Sequence, residues 1–157
     1  MNEIIIKKKF ILLNFIILFL IGCENLKTAS IQGAVVSARE EASKIGVEIL
    51  KKGGNAFDAM VATSFALTVV FPNAGNITGG GFMVYRTSKG AIGSLDYREM
   101  APMSSREEMY LDKNGEVIAD LSRTGGLAVG VPGSVAGILE VHKKMGSLPL
   151  SDLIKPS

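Results

Sequence analysis

Downstream of about residue 33 the hydrophobic positions follow two periods in turn. Ala42, Ile45, Ile49 and Leu50 fall on one stripe of a 3.6-residue repeat and predict a helix from about Ala38 to Lys51. Ser37 with Glu40 three residues on has the form of a capping box at its start, Lys51 and Lys52 suit the negative end of its dipole, and Gly53-Gly54 offer a left-handed stop. Asn55 with Asp58 resembles a second N-cap, and Ala56 to Phe71 is apolar around most of its circumference until Pro72 closes it. Such a helix belongs in a domain interior, where its small Ala and Ser residues allow close approach to a sheet. The period then shortens. Phe82-Met83-Val84-Tyr85 and Ala91 to Tyr97, joined through Thr87-Ser88-Lys89-Gly90, predict a β-hairpin, and Ala34-Val35-Val36 is a further short strand candidate.

Beyond the hairpin, Ser104-Ser105-Arg106-Glu107 repeats the capping-box pattern and predicts a short helix, and Asp112-Lys113-Asn114-Gly115 predicts a turn. Gly125 to Gly133 reads as a strand or extended loop feeding a helix from Ser134 to about Met145, which Gly146 ends. Ser151-Asp152 predicts another helix from Leu153.

The first residues follow neither period. Lys7, Lys8 and Lys9 precede an apolar run from Phe10 to Ile21, interrupted by Asn14, and this reads as a secretory signal. As a helix the run covers about 18 Å, against roughly 30 Å of bilayer hydrocarbon, so a spanning helix is the weaker alternative, kept open by Ile4-Ile5-Ile6. Leu20-Ile21-Gly22-Cys23 resembles a bacterial lipobox, which makes Cys23 a lipidation site; the alternative is an ordinary free or buried thiol. The expected organisation is a lipoprotein signal peptide over 1–22, a tether over 23–32 without apolar periodicity, and one domain over 33–157.

Composition narrows the classes. The 157 residues are 47% hydrophobic and 20% charged, with one Cys and one His, which excludes a disordered tail, a collagen-like repeat, a disulfide scaffold and Cys/His metal clusters. The net charge of +2 stems from the three N-terminal lysines; residues 23–157 balance 14 basic against 14 acidic side chains, so nucleic acid is not an expected partner. No metal or other cofactor is expected.

Candidate chemistry is sparse. His142 lies in a predicted helix beside Lys143 and Lys144 and reads as a solvated surface imidazole, and Gly133-Ser134-Val135-Ala136-Gly137 lacks the spacing of a nucleophile elbow. Glu40-Glu41 and Glu107-Glu108 are adjacent in sequence and face different directions, which makes them poor acid/base dyads. Gly79-Gly80-Gly81 lacks the Lys-Ser/Thr pair of a phosphate loop and is read as serving packing ahead of ligand contact. Arg98, at a strand exit, has equal claims as a rigid clamp for a carboxylate and as a structural ion-pair partner of Glu99 or a distant acid.

Four separated stretches carry a resemblance: Ile49 to Ala59, Pro72 to Asn76 with Gly79 to Met83, Asp96 to Pro102, and Gly130 to Gly137. In that order they resemble the opening of the γ-glutamyltranspeptidase family, also called glutathione hydrolases. The resemblance implies an α+β fold, an incomplete four-layer αββα sandwich of the N-terminal-nucleophile hydrolase type. It implies acyl chemistry in which a precursor cleaves itself before an internal Thr, and that Thr attacks a γ-glutamyl amide to form an acyl-enzyme resolved by water or an amine. Arg98 matches the family's ligand for the α-carboxylate of the γ-glutamyl group. The nucleophilic Thr, the acid that holds the substrate amine and the oxyanion-hole glycines fall in the family's later region, and neither Thr78 nor Thr124 fits the cleavage site. The chain is accordingly expected to have no catalytic residue of its own, to be a truncated or split product inactive alone, and to need the downstream region or small subunit as partner. Its expected ligand is glutathione or another γ-glutamyl compound, and its expected location is exported and lipid-anchored, on the periplasmic or cell-surface side of a bacterial membrane. The alternative is a non-catalytic lipid-anchored remnant of a disrupted gene.

Overall fold

The computed structural model describes residues 33–74 and 76–157. The expected leader, Cys23 and tether lie outside the described residues.

Helix α1 spans Glu40–Lys51, with Ala42 and Ile49 fully buried and Ile45 and Leu50 packed beside them, as the stripe requires. Its N-cap is Arg39, without a side-chain hydrogen bond. Ser37 Oγ instead donates to Arg39 O (2.8 Å), so the predicted Ser37–Glu40 capping box does not form and the helix starts two residues later than its apolar stripe suggested. Its C-terminus is a Schellman motif: Gly53 N donates to Leu50 O and Gly54 N to Ile49 O, both at 3.0 Å, and Gly53 takes φ +91°.

Helix α2, Ala56–Val70, begins with the predicted capping box. The Asn55 side chain accepts from Phe57 N and Asp58 N, and Asp58 Oδ2 accepts from Asn55 N at 2.9 Å. Its neighbours differ from the expectation. α2 packs on α1 and on two later helices, α3 (Ser134–Met145) and α4 (Leu150–Ile154). Its aromatic link to the sheet is an edge-on contact between Phe57 and Tyr85, ring centres 5.7 Å apart. Ala59, Val61, Ala62 and Ala66 are buried, but Val69 is 61% exposed, so the helix is interior along one side only.

The sheet is the predicted hairpin, β1 Phe82–Arg86 antiparallel to β2 Ile92–Asp96, in a register that sets Phe82 opposite Asp96 and Arg86 opposite Ile92. Thr87 N donates to Ala91 O at the turn, where Gly90 has φ +87°. Met83, Tyr85 and Leu95 are half-buried, whereas Phe82, Val84 and Ile92 on the other face are exposed.

Three further expectations are corrected. Ala34-Val35-Val36 is not a strand: no partner strand is present among the described residues, and Val35 packs its side chain against the helical core. Residues 104–107 are not helical: turns at 103–104 and 107–110 flank irregular Ser105-Arg106, with Ser105 N bonded to Pro102 O, because no apolar stripe follows to reward a helix. α4 begins at Leu150 after Pro149, whose fixed φ suits a helix entry, ahead of the predicted Leu153. The Asp112–Gly115 turn and the Ser134–Met145 helix form as predicted. Among the described residues no helix is long and apolar enough to cross a membrane, and no group of His, Cys, Asp and Glu is disposed to hold a metal ion.

Candidate functional site

The motif richest in recognisable residues, 49–59, turns out to build a junction. Asp58 is fully buried, and its carboxylate accepts four hydrogen bonds: Oδ2 from Asn55 N (2.9 Å) and Ser147 Oγ (2.5 Å), Oδ1 from Ser147 N (2.9 Å) and Leu148 N (3.3 Å). Burial raises its pKa, but the Ser147 hydroxyl and the backbone N–H groups outweigh burial and hold it below the ordinary aspartate value. Asn55 Nδ2 adds a bond to Met145 O at 2.8 Å, and the His142 ring Nε2 pairs with Leu148 O at 2.8 Å. His142 is therefore a half-buried strut for the α3–α4 loop, which corrects the reading of a solvated imidazole. The local capping box was legible in sequence. Its second function, binding a loop 89 residues downstream, was not.

The site proper begins where β2 ends. Asp96 Oδ1 accepts the Arg98 N–H at 2.9 Å, turning the chain out of the sheet. Tyr97 and Gly81 exchange both backbone hydrogen bonds (3.0 and 3.3 Å), and Met100 exchanges both with Val131 (3.1 and 2.8 Å). Gly79 O accepts from Gly133 N (2.9 Å) and Ser134 N (3.0 Å), the latter the first residue of α3. Three segments distant in sequence thus meet: the glycine loop, residues 96–100, and the entry to α3.

Space explains the glycines. A β-carbon on Gly80 would lie 2.6 Å from Glu99 N and 2.7 Å from Arg98 Cα, and none of Gly79, Gly80 and Gly81 has a positive φ. The packing reading of this loop accordingly holds: the glycines admit a neighbouring backbone, and left-handed geometry is not required.

Between these segments lies a cleft of about 720 Å³, lined by Tyr97, Arg98, Glu99, Met100, Pro132 and Gly137 among others. Arg98 is exposed on it, and among the described residues no salt bridge includes Arg98. The pairing with Glu99 weighed from sequence is not formed; the Glu99 carboxylate lies beside Gly79 and Gly80. Glu140, also on the cleft, is taken by Lys144 at 2.7 Å. Burial raises the Tyr97 pKa, so its ring is a neutral wall. A hydrogen-bonded main chain carrying a guanidinium that no described residue pairs is suited to receiving a carboxylate in bidentate geometry. Thr78 and Thr124 are exposed in loops. Tyr97 and Gly137 were missed as site-builders; a small residue four positions into a helix gave no signal that an aromatic ring would lie on it.

Comparison with known proteins agrees with the motif order. A family profile described as Gamma-glutamyltranspeptidase matches residues 42–157. The chain is 50% identical over 137 residues to a glutathione hydrolase proenzyme of Pseudomonas sp. (strain A14), covering 87% of this chain and 23% of that protein. It is 52% identical over 126 residues to the Pseudomonas aeruginosa glutathione hydrolase proenzyme, covering 80% of this chain and 22% of that protein. The fold superposes on the crystal structure of Helicobacter pylori gamma-glutamyltranspeptidase with a TM-score of 0.76 at 50% identity, over 80% of this chain and 36% of that one. For the Pseudomonas nitroreducens gamma-glutamyltranspeptidase complexed with L-DON the TM-score is 0.74 at 51% identity, over 79% of this chain and 37% of that one. The chain thus spans under a quarter of the length of the curated relatives it matches. Its mixture of helices and a small antiparallel sheet is the α+β fold of these N-terminal-nucleophile hydrolases. From residue 42 onward, the chain belongs to the gamma-glutamyltranspeptidase family.

Proposed function

We propose that this chain supplies the donor-carboxylate arm of a γ-glutamyl hydrolase or transferase, with Arg98 binding the α-carboxylate of glutathione or another γ-glutamyl compound. The observation that carries the reading is the Arg98 guanidinium, in no salt bridge among the described residues, on a main chain held by hydrogen bonds before and after it. Binding alone does not lower a chemical barrier. The nucleophile, a Thr that takes the γ-glutamyl acyl group from the amide and passes it to water or an amine, belongs to the region of the family downstream of these motifs. That region, or the small subunit containing it, is the proposed partner. Arg98 then contributes by fixing the donor so that its amide carbonyl meets the nucleophile.

We further propose export and lipid anchoring at Cys23, with 1–22 as the signal and 23–32 as the tether, on the strength of the Lys7–Lys9, Phe10–Ile21 and Cys23 succession.

The test joins the full 157-residue chain in frame to the remaining region of the Pseudomonas aeruginosa relative and follows hydrolysis of a chromogenic γ-glutamyl anilide. The hybrid is expected to turn over, and the 157-residue chain by itself is expected not to. Arg98→Ala should lose about 2–5 kcal/mol of binding to the donor, because the substrate carboxylate then faces an unpaired site. A hybrid that hydrolyses the anilide equally well without Arg98 refutes the assignment.

A further inference from the structure

The reading of Arg98 as the donor-carboxylate ligand leaves open what aims it. Among the described residues no salt bridge holds its guanidinium, so the main chain, the position of its Cα and of the adjoining peptides, is what the structure fixes for this side chain. Resting on that reading, we propose that Gly80 and Gly133 are positioning residues for Arg98, two bare-backbone walls that fix residues 97–99 and thereby the angle at which the guanidinium meets its ligand.

The geometry has three parts. Gly80 bears on Arg98 Cα (2.7 Å from a β-carbon built on it) and Glu99 N (2.6 Å). A β-carbon on Gly133 would run into Tyr97 O and lie 2.8 Å from Tyr97 C and 2.9 Å from Arg98 O. The two walls are coupled to each other, since Gly79 O accepts the N–H of Gly133 at 2.9 Å. Conformation is not the reason for either glycine: Gly133 has φ −112°, and Gly80 is not among the positive-φ residues. What both positions exclude is a methyl group; at Gly80 the Glu99 carboxylate, also 2.6 Å away, can swing aside, but the other atoms in its way at both positions are backbone, which cannot move without carrying Arg98. A planar fork gripping a carboxylate through two parallel bonds tolerates such a rotation poorly.

The experiment measures, on one preparation of the hybrid enzyme, the ratio of kcat/KM for a γ-glutamyl anilide to that for the 4-aminobutyryl anilide, which lacks the α-carboxylate. Both values scale with the amount of folded enzyme, so the ratio reports carboxylate recognition alone. Gly80→Ala is expected to lower it by about 10- to 100-fold, the scale of a misplacement near 1 Å, with Arg98→Ala lowering it at least as far. Gly46→Ala serves as the control. Its β-carbon would meet Thr63 Oγ1 and lie 2.8 Å from Val35 Cγ1, a comparable clash between α1 and its neighbours away from the cleft, and it should reduce yield and leave the ratio unchanged. Gly133→Ala repeats the question from the second wall. If Gly80→Ala and Gly133→Ala keep the wild-type ratio while Arg98→Ala loses it, the positioning role is wrong and the Arg98 reading survives. If Arg98→Ala also keeps the ratio, the Arg98 reading fails and takes the proposal with it. Failure of both glycine variants to fold where Gly46→Ala folds also overturns it, because the walls would then serve folding.

Discussion

Replacing Asp58 by Asn removes one charge from a site otherwise unchanged in shape, and the cost can be worked from the four hydrogen bonds. Both oxygens of Asp58 accept two bonds each, from Asn55 N and Ser147 Oγ on one side and from Ser147 N and Leu148 N on the other. An amide placed with its oxygen toward Ser147 N and Leu148 N keeps those bonds, weakened from charge-assisted to neutral. Its NH2 then faces two donors. The Ser147 hydroxyl can rotate and accept, but the Asn55 N–H is orphaned, which costs about 1–3 kcal/mol by itself. With the weakened pair included, Asp58→Asn should destabilise by roughly 2–4 kcal/mol at neutral pH. The pH dependence follows from the pKa direction. The folded pKa lies below the unfolded one, so the carboxylate's contribution is fully present above the unfolded value, near 4, and is lost as pH falls through the folded value. Urea unfolding of the full chain, followed by circular dichroism at 222 nm, should therefore show a gap between wild type and Asp58→Asn that is widest at pH 7 and closes below about pH 4. Equal stabilities at pH 7, or a gap that persists unchanged into acid, would refute the reasoning.

Other outcomes are expected elsewhere. Gly53→Ala, at φ +91° in open space, should cost about 1 kcal/mol from backbone strain alone, read as a lower urea midpoint without a change in slope. Phe82, Val84 and Ile92 together expose an apolar hairpin face, so the chain by itself should bind a hydrophobic dye, and Val84→Lys should reduce that fluorescence; an unaltered signal would place the dye elsewhere. Cells fed labelled fatty acid should label the chain at Cys23, and a Cys23→Ser variant that still carried the label would end the lipid-anchor proposal.

Local rules were legible wherever a residue's partner lies within one helical turn or one hairpin. The stripe from Ala42 to Leu50, the Asn55 cap, the Gly53 stop and the hairpin around Gly90 each satisfy their own backbone within a few residues, and each forms as read. The failures share one cause. Ser37 and Glu40 had the letters of a capping box, but Ser37 found Arg39 O and Ser43 instead. Ala34-Val35-Val36 had strand composition, but a strand needs a partner that periodicity does not supply. His142 looked solvated because its acceptor, Leu148 O, lies past the helix end, where helical geometry no longer predicts proximity. Within the cleft Arg98 stood out in sequence as a rigid donor at a strand exit. Its relation to Gly80 and Gly133 did not, since close backbone approach between segments 18 and 35 residues apart leaves no mark except the absence of a side chain.

The central claim is that Arg98 recognises the donor's α-carboxylate through a bidentate fork. The most direct measurement is kcat/KM for the γ-glutamyl anilide in hybrids carrying Arg, Lys or Ala at position 98. The account predicts a graded order, with Ala lower than Arg by at least about 30-fold, the low end of a 2–5 kcal/mol loss, and Lys between them because a single ammonium restores charge without the paired geometry. Values within twofold across all three residues would contradict it.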